Sequence, residues 1–368
     1  MISHFPTAHI NLSALQHNFN VVRQHSSANI LCMLKANAYG HGLIPIAQAL
    51  HEADGFGVAR LEEALALRAV GITQKIVVML GFLTHEELEL FFQHNLDAVI
   101  HSEFQLDLLE AFTEILPLPL AGEGRGEGFN IWLKLDIGMH RLGFLPKDFA
   151  KVYQRLKQCK VISELMLMTH FPCADDFTNP ITDVQIAEFF NITKNYSDKK
   201  SIANSAIILQ HSVASRDWVR PGIMLYGASP LNYMSADNLD LKPVMTLSSR
   251  IIAIHELPAG AAIGYGSTWT CPEAMRIAVV AIGYGDGYPR HVPSGTPVLI
   301  RGKHLPLIGR VSMDLITVDL RGADEIEIGD EVILWGEGLS ADLIANHADT
   351  IAYELFCRLT SRIKFIYN

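Results

Sequence analysis

Residues Ile30-Leu31-Cys32-Met33-Leu34-Lys35-Ala36-Asn37-Ala38-Tyr39-Gly40-His41-Gly42 run from an unbroken apolar stretch into a lysine, then into a small, glycine-flanked loop. An apolar run of this length, bounded by turn residues, reads as a strand buried on both faces, as in parallel sheets. A lysine ending such a strand is costly unless it stands at an open end or has a partner. At an open end its desolvated amine has a lowered pKa, which suits Schiff-base or general-base chemistry. A lysine snorkelling out of the core is the alternative, and this stretch alone does not separate the two.

Outward from this stretch the chain alternates. After an extended piece at Ala8–Leu12 and a helix expected to be capped by Ser13, strand-like runs recur at Ile30–Leu34, Phe56–Ala59, Ile76–Leu80, Ala98–Ile100, Ile131–Leu135, Glu164–Met168, Ser201–Ala203 and Val219–Tyr226. Amphipathic stretches of helical period separate most of them, as at Leu61–Ala69, His85–His94 and Thr182–Tyr196. Periodicity alone also fits an open doubly wound sheet, but a count of eight strands favours a parallel (β/α)8 TIM-like barrel. Pro117–Gly128 (PLPLAGEGRGEG) breaks the alternation and reads as an exposed inserted loop. No strand leads into it, no helix leaves it, and its glutamates repel phosphate, so it is not a phosphate loop.

Past residue 236 the texture changes to short apolar runs separated by glycine and proline: Val244–His255, Ile277–Ile282, Pro297–Ile300, Ile316–Leu320 and Glu331–Leu334. That is the pattern of a smaller, mainly β domain. A short helix at Ala341–Ala348 and a last stretch at Leu359–Ile366 follow. The expected organisation is a barrel over 1–236 and a mainly β domain over 237–368, in keeping with the two-domain prior for 368 residues.

Composition narrows the function classes. Apolar residues make up 49% and charged residues 18%, which suits a compact globule. A net charge of -10 with no basic run argues against a nucleic-acid partner. No run approaches a membrane span, and the first residues lack the features of a signal peptide. Five scattered cysteines without a CxxC pair suit a reducing compartment, so a soluble cytoplasmic protein is expected. No metal site is expected.

Active sites of (β/α)8 barrels lie at the C-terminal ends of the strands. Strand one delivers Lys35, Tyr39 and His41; strand five delivers Lys134 and Asp136, followed by Gly138-Met139-His140-Arg141. Strand six ends in Thr169-His170-Phe171, strand seven in Asn204-Ser205, and strand eight in Arg220-Pro221-Gly222-Ile223. Any one of these residues has an ordinary structural explanation; five strands ending this way form a polar rim. Ser205, with Gly222 and Ile223, follows strands seven and eight, where such barrels often bind phosphate through N–H groups and a hydroxyl. A strand-end lysine facing a phosphate site is the arrangement expected for pyridoxal 5′-phosphate, whose aldehyde condenses with the amine. Arg220, always protonated, would hydrogen-bond the pyridine nitrogen and leave it unprotonated, which weakens the ring as an electron sink.

The run Lys35–Gly42 (KANAYGHG) resembles the cofactor-lysine signature of bacterial alanine racemases. The resemblance continues in family order through Lys134–Gly143 (KLDIGMHRLG), His170-Phe171, Asn204-Ser205, Arg220–Gly227 (RPGIMLYG), Gly264–Trp269 (GYGSTW), Gly283–Arg290 (GYGDGYPR) and Gly309–Asp314 (GRVSMD). It implies a pyridoxal-phosphate racemase that interconverts L- and D-alanine and supplies D-alanine for peptidoglycan. It implies two bases on opposite faces of the substrate: Lys35 for the D-enantiomer and Tyr265 for the L-enantiomer. The tyrosine's proton affinity is then tuned through a chain to His170 and Arg220. Tyr39, Asn204, Ser205, Gly222 and Ile223 are implied cofactor contacts. Arg141 is implied to orient the substrate carboxylate, and Lys134 to be open to carbamylation. Tyr284 is implied to line substrate entry, and Met313 and Asp314 to lie near the substrate carboxylate across a homodimer interface, as Tyr265 does. By position, Ser361 stands where many relatives carry a further phosphate-binding tyrosine, so that contact is not expected here.

Three rivals compete with alanine racemisation. A serine or broader amino-acid racemase differs only in pocket discrimination, and a pocket that merely excludes a hydroxyl discriminates weakly. A decarboxylase of the same fold type wants a protonated pyridine nitrogen, against which Arg220 speaks. A pyridoxal-phosphate carrier would leave the second domain and Tyr265 without purpose.

Overall fold

The computed structural model describes residues 6–115, 128–211 and 214–368. All but the last residue of the expected inserted loop lies outside the described residues.

The strands, in chain order, are β1 (Thr7–Ile10), β2 (Asn29–Met33), β3 (Gly55–Val58), β4 (Lys75–Val78), β5 (Asp97–Ile100), β6 (Phe129–Lys134), β7 (Ile162–Met168), β8 (Lys199–Ser201), β9 (Ala203–Asn204) and β10 (Trp218–Arg220). From β2 to β10 they form one parallel sheet in the order β8-β7-β6-β5-β4-β3-β2-β10-β9. Strands β8 and β9 flank a single residue, Ile202; β8 pairs with β7 and β9 with β10. The nine ladder segments are thus eight barrel strands, with the split seventh strand closing the ring. The interior strands β3 and β5 are buried at every residue, as parallel strands covered on both faces require. The connecting helices include Leu61–Ala69, as expected, and His85–Gln93, started by Thr84, whose side chain accepts from the Glu87 N–H.

Two sequence expectations need correction here. The first helix, Leu12–His25, is capped by Asn11 rather than Ser13, because the Asn11 carboxamide oxygen accepts from the Ala14 N–H at 2.9 Å. The run Val219–Tyr226 is not one strand: β10 stops at Arg220, and Ile223–Tyr226 form a 3-10 turn. Pro221 has no N–H to continue a ladder, and Gly222 bends the chain away.

The later strands are β11 (Met245–Leu257), β12 (Ala262–Ile263), β13 (Trp269–Thr270), β14 (Met275–Val280), β15 (Pro297–Ile300), β16 (Lys303–Ile308), β17 (Ile316–Asp319), β18 (Glu331–Trp335) and β19 (Lys364–Tyr367); β12 and β13 form a separate hairpin and the others a second sheet. The order of that sheet is β14-β17-β16-β15-β18-β11-β1-β19, with β11 also pairing β14. The long, bulged β11 reaches β1, β18 and β14 in turn along its length. The N-terminal β1 belongs to this sheet, parallel to β19 and antiparallel to β11. A helix at Ala352–Cys357 that the sequence did not signal packs back onto the barrel beside residues 35–41. Among the described residues, no helix is long and apolar enough to cross a membrane.

Candidate active site

Strand β2 ends at Met33, and Lys35 opens a turn of unusual hand. Ala36, Asn37 and Ala38 have φ of 54°, 56° and 53° with ψ of 52°, 47° and 54°, and Tyr39 follows at φ 52°. Four consecutive non-glycine residues therefore wind left-handed, a conformation that costs about 1–2 kcal/mol per residue. Such strain persists only where the surroundings over-determine it. Here they do. Gly40 N–H reaches Ala36 O at 2.9 Å, Gly42 N–H reaches Asn37 O at 3.0 Å, and the Asn37 side-chain oxygen accepts from the Leu43 N–H at 2.8 Å. Glu63 accepts from the Asn37 N–H at 3.3 Å, and its other oxygen takes the Ala59 N–H at 2.8 Å. Gly40 lies so close to the Phe356 carbonyl that a Cβ there would collide with it.

The turn sets Lys35 in an open mouth at the C-terminal rim. Its side chain keeps solvent access, yet burial lowers its proton affinity most, followed by the charges of Arg141 and Arg220. Strand β6 ends in Lys134, which burial and then Arg220, Arg141 and Lys35 bring down to about 8. His170, two residues past β7, is lowered to about 3 by burial and then by Arg220, so it is neutral at physiological pH. Arg220, the last residue of β10, is buried, and burial lowers it to about 10, which leaves it charged. Its guanidinium donates to Ser201 O at 2.5 Å, Ser201 Oγ at 2.8 Å and Thr169 O at 2.6 Å. Lys35, Lys134, Arg141 and Arg220 thus converge on one rim as cations, with the neutral His170 among them. Such a group favours an anion or an electron-rich heterocycle.

The other residues expected from the sequence to contact a cofactor lie on or beside the adjoining strand ends. Ser205 Oγ accepts from the Gly222 N–H at 2.8 Å, and a Cβ at Gly222 would stand 2.5 Å from the Tyr39 hydroxyl. Only glycine lets that hydroxyl approach. Asn204 caps the helix Ser205–Gln210, its oxygen accepting from the Ile207 N–H at 3.0 Å, and Ile223 is fully buried. Tyr39 stacks on Tyr226 at 4.8 Å between centroids and tilts against Tyr353 at 5.7 Å. The Tyr226 hydroxyl donates to Met33 O at 2.8 Å and so ties the end of β2 to the 3-10 turn.

The candidates of the C-terminal half are exposed instead. Tyr265 sits in the turn of the β12–β13 hairpin at 67% exposure, with Met313 at 53% and Tyr284 at 37%. Tyr284 and Met313 belong to one unit: Tyr284 N–H reaches Ser312 O at 3.1 Å, and Gly285 N–H reaches Met313 O at 2.8 Å. Arg362 binds Asp314 at 2.7 Å and Asp286 at 3.2 Å, fixing that unit to the end of the chain.

Sequence reasoning missed several contributors. Ser201 and Thr169 hold Arg220 through oxygens, two of them backbone carbonyls that no motif advertises. Tyr226 lies inside the RPGIMLYG run, which was the available signal. Phe356, Cys357 and Thr360 carried none. With Ser361 and the Lys35 turn, the last two line a cleft of about 560 Å³.

Comparison with known proteins follows the same outline. The family models "Alanine racemase, N-terminal domain" and "Alanine racemase, C-terminal domain" match residues 10–230 and 244–367. An alanine racemase of Coxiella burnetii (strain RSA 493) is 48% identical over 367 residues, covering 98% of each chain. One of Shewanella woodyi is 47% identical over 361 residues, again covering 98% of each. The crystal structure of the biosynthetic alanine racemase from Pseudomonas aeruginosa superposes with a TM-score of 0.94 at 41% identity over 100% of both chains. The structure of alanine racemase from Acinetobacter baumannii gives 0.92 at 38% identity, also over 100% of both chains. With barrel, second sheet and both sets of motifs matched from end to end, the chain belongs to the alanine racemase family.

Proposed function

We propose that this chain interconverts L- and D-alanine with pyridoxal 5′-phosphate held at Lys35, as a homodimer in the cytoplasm, supplying D-alanine for peptidoglycan. The observation that carries the reading is Arg220: a buried guanidinium held by carbonyl and hydroxyl oxygens, beside a lysine of lowered proton affinity. The residues present fit the cofactor. The like-charged rim suits its phosphate and phenolic oxygens, and glycine at 222 leaves room beside Tyr39 and Ser205. Lys35, Tyr39, His170, Asn204, Ser205, Arg220, Gly222 and Ile223 would hold it. When bound, pyridoxal phosphate supplies an electron sink that acidifies the Cα–H of the substrate.

The chain's own groups then move the proton. The Lys35 amine, with its proton affinity lowered by burial and by Arg141 and Arg220, accepts or returns a proton at Nζ on one face. The Tyr265 hydroxyl serves the opposite face and comes from the partner subunit. Its exposure, with that of Tyr284 and Met313, supports a surface completed by a second copy. Arg220 stays cationic and tempers the electron sink; neutral His170 can pass a proton without adding charge. Arg141 orients the substrate carboxylate, assisted by Met313 and Asp314 of the other subunit. Lys134, lowered to about 8, holds an appreciable neutral fraction at mildly alkaline pH, the form that adds carbon dioxide to give a carbamate and a proton. The proposed division of labour is a barrel over 1–236 that holds the cofactor and a domain over 237–368 that completes the neighbouring site.

The test is incubation with L-alanine and pyridoxal phosphate in deuterium oxide, following optical rotation and α-proton loss together, with serine run in parallel. Loss of rotation with deuterium incorporation, faster for alanine than for serine, is expected. Exchange with rotation preserved would remove the two-base reading, and carbon dioxide release would replace racemisation by decarboxylation.

A further inference from the structure

The KANAYGHG run contains one ionisable residue that the proposed chemistry does not use. His41 is fully buried, its ring tilted on Tyr226 at 4.6 Å and edge-on to Phe356 at 5.0 Å. Its Nδ1 lies 2.9 Å from the Tyr39 carbonyl oxygen. A carbonyl only accepts, so Nδ1 carries the proton and donates. Burial lowers the imidazole to about 4, so Nε2 is unprotonated at neutral pH; among the described residues it has no partner.

We infer that His41 is a positioning residue for Lys35 and Tyr39: its Nδ1–H, held by the Tyr226 and Phe356 rings, closes the left-handed turn that aims both side chains at the rim. Three observations converge. The turn holds four non-glycine residues at positive φ, so its conformation must be imposed from outside. The His41 bond falls on the carbonyl of Tyr39, the last of those four. The rings that fix the imidazole are themselves anchored on different elements. Tyr226 donates to Met33 at the end of β2, and Phe356 lies in the helix Ala352–Cys357. Tyr226 also stacks on Tyr39, so one aromatic pile fixes both the side chain and the carbonyl of the same residue. His41 has no role in proton transfer; it acts through the backbone.

The inference rests on the proposed function only where the cofactor is involved, so the test has an arm without it. His41→Phe keeps a ring for the pile and removes the donor; His41→Asn restores a donor near the Nδ1 position and removes the ring. In full-length, cofactor-free protein, hydrogen exchange at the Gly40 and Gly42 amides and acetylation of Lys35 by an N-hydroxysuccinimide ester are read by peptide mass spectrometry. In the loaded protein, pyridoxal phosphate affinity is read by fluorescence. In His41→Phe, exchange at Gly40 and Gly42 should rise roughly tenfold and cofactor affinity fall by a similar factor, the worth of one hydrogen bond. The Lys35 labelling rate should change, and the thermal midpoint should stay within a few degrees. In His41→Asn these readouts should return most of the way to the parent. A His41→Phe protein indistinguishable from the parent, or a His41→Asn protein as impaired as it, overturns the inference. If His41→Phe does not fold, His41→Gln, whose amide reaches toward the Nε2 position, replaces it; equal behaviour of the Asn and Gln variants then overturns it. Loss of cofactor binding in the parent, with the exchange pattern as expected, would fault the proposed function and leave the positioning role standing.

Discussion

In β6, Asn130, Trp132 and Lys134 share one face, because side chains alternate along a strand. At the lower end of that column, Asn130 and Trp132 donate to the buried Asp97 at 3.1 and 2.9 Å, and Lys75 reaches it at 2.8 Å. Glu164 extends the network, 3.8 Å from Lys75 and 2.6 Å from Lys199. At the upper end, Lys134 faces the charges of Arg220, Arg141 and Lys35, three of its own sign, against one opposing carboxylate, Asp136. The fully buried Trp132 indole separates the two worlds. Paired charges at the strand starts bridge neighbouring strands, whereas the cations at the strand ends form no side-chain ion pair among the described residues and leave that rim suited to an anion. The difference teaches which end to read for function: the one whose electrostatics the chain alone does not balance.

That contrast can be broken experimentally at either end. The largest effect is expected from Lys35→Ala, which should cut racemisation by a factor on the order of 10⁴ or more. The cofactor-free variant should unfold in urea at the parent's midpoint or slightly above it, since an unpaired cation has gone. A marked loss of stability would mean that the upper rim is structural after all.

Next comes Tyr265→Phe, which asks whether the rim needs a group from the C-terminal half. Proton removal from L-alanine should slow by roughly 10²–10⁴-fold, and from D-alanine far less, as initial-rate isotope exchange in each direction would measure. Equal slowing in both directions would assign Tyr265 to binding and not to proton transfer.

At the lower end, Asp97→Ala should cost about 3–5 kcal/mol in urea unfolding, because Lys75, Asn130 and Trp132 lose their shared acceptor. Burial already pushes the Asp97 carboxyl up despite the Lys75 charge, so this pair is held at a desolvation cost rather than idle at the surface. The folded fraction of that variant should keep its parent kcat; a drop in kcat per folded site would show that the two rims are coupled through the column.

The smallest effect is the upper rim's own share of the pH dependence of stability. Lys134 is held at about 8 against an ordinary 10.5, and His170 at about 3 against 6.5. Both groups bind protons less tightly in the fold than in the unfolded chain. The unfolded state therefore carries the extra proton between about 8 and 10.5, and between about 3 and 6.5, so the contribution of each group to stability rises with pH across its window. A single group contributes at most about 1.4 kcal/mol per pH unit. Urea unfolding of cofactor-free protein at pH 7.5 and 10 should show this contribution as a difference between proteins: Lys134→Met should gain less stability, or lose more, than the parent, while the buried Cys32, Tyr39 and Tyr226, which oppose the rise, act equally in both. An identical slope in the two proteins would remove Lys134 from the like-charged group.

Lys35, Lys134, His170, Asn204, Ser205 and Arg220 were legible because each stands within two residues of an apolar run, and strand ends in a parallel barrel face one rim. Length and period were enough for that, and they also marked the turn to short β runs after residue 236. They misread Val219–Tyr226 as one strand, since apolar residues of a buried 3-10 turn look like strand residues when only hydrophobicity is read. They missed the helix Ala352–Cys357, which is too short to establish a period of its own.

The amino-acid order by itself determined the barrel, the second sheet and the rim from which chemistry emerges, because alternation and strand-end polarity are local properties. How that rim is aimed depends on packing between elements far apart in the chain. The left-handed turn at Ala36–Tyr39 runs against the local preference of Ala36, Ala38 and Tyr39 and exists because Tyr226, His41, Glu63 and the Phe356 segment close around it. A conformation that local propensity opposes has to be imposed by contacts distant in sequence.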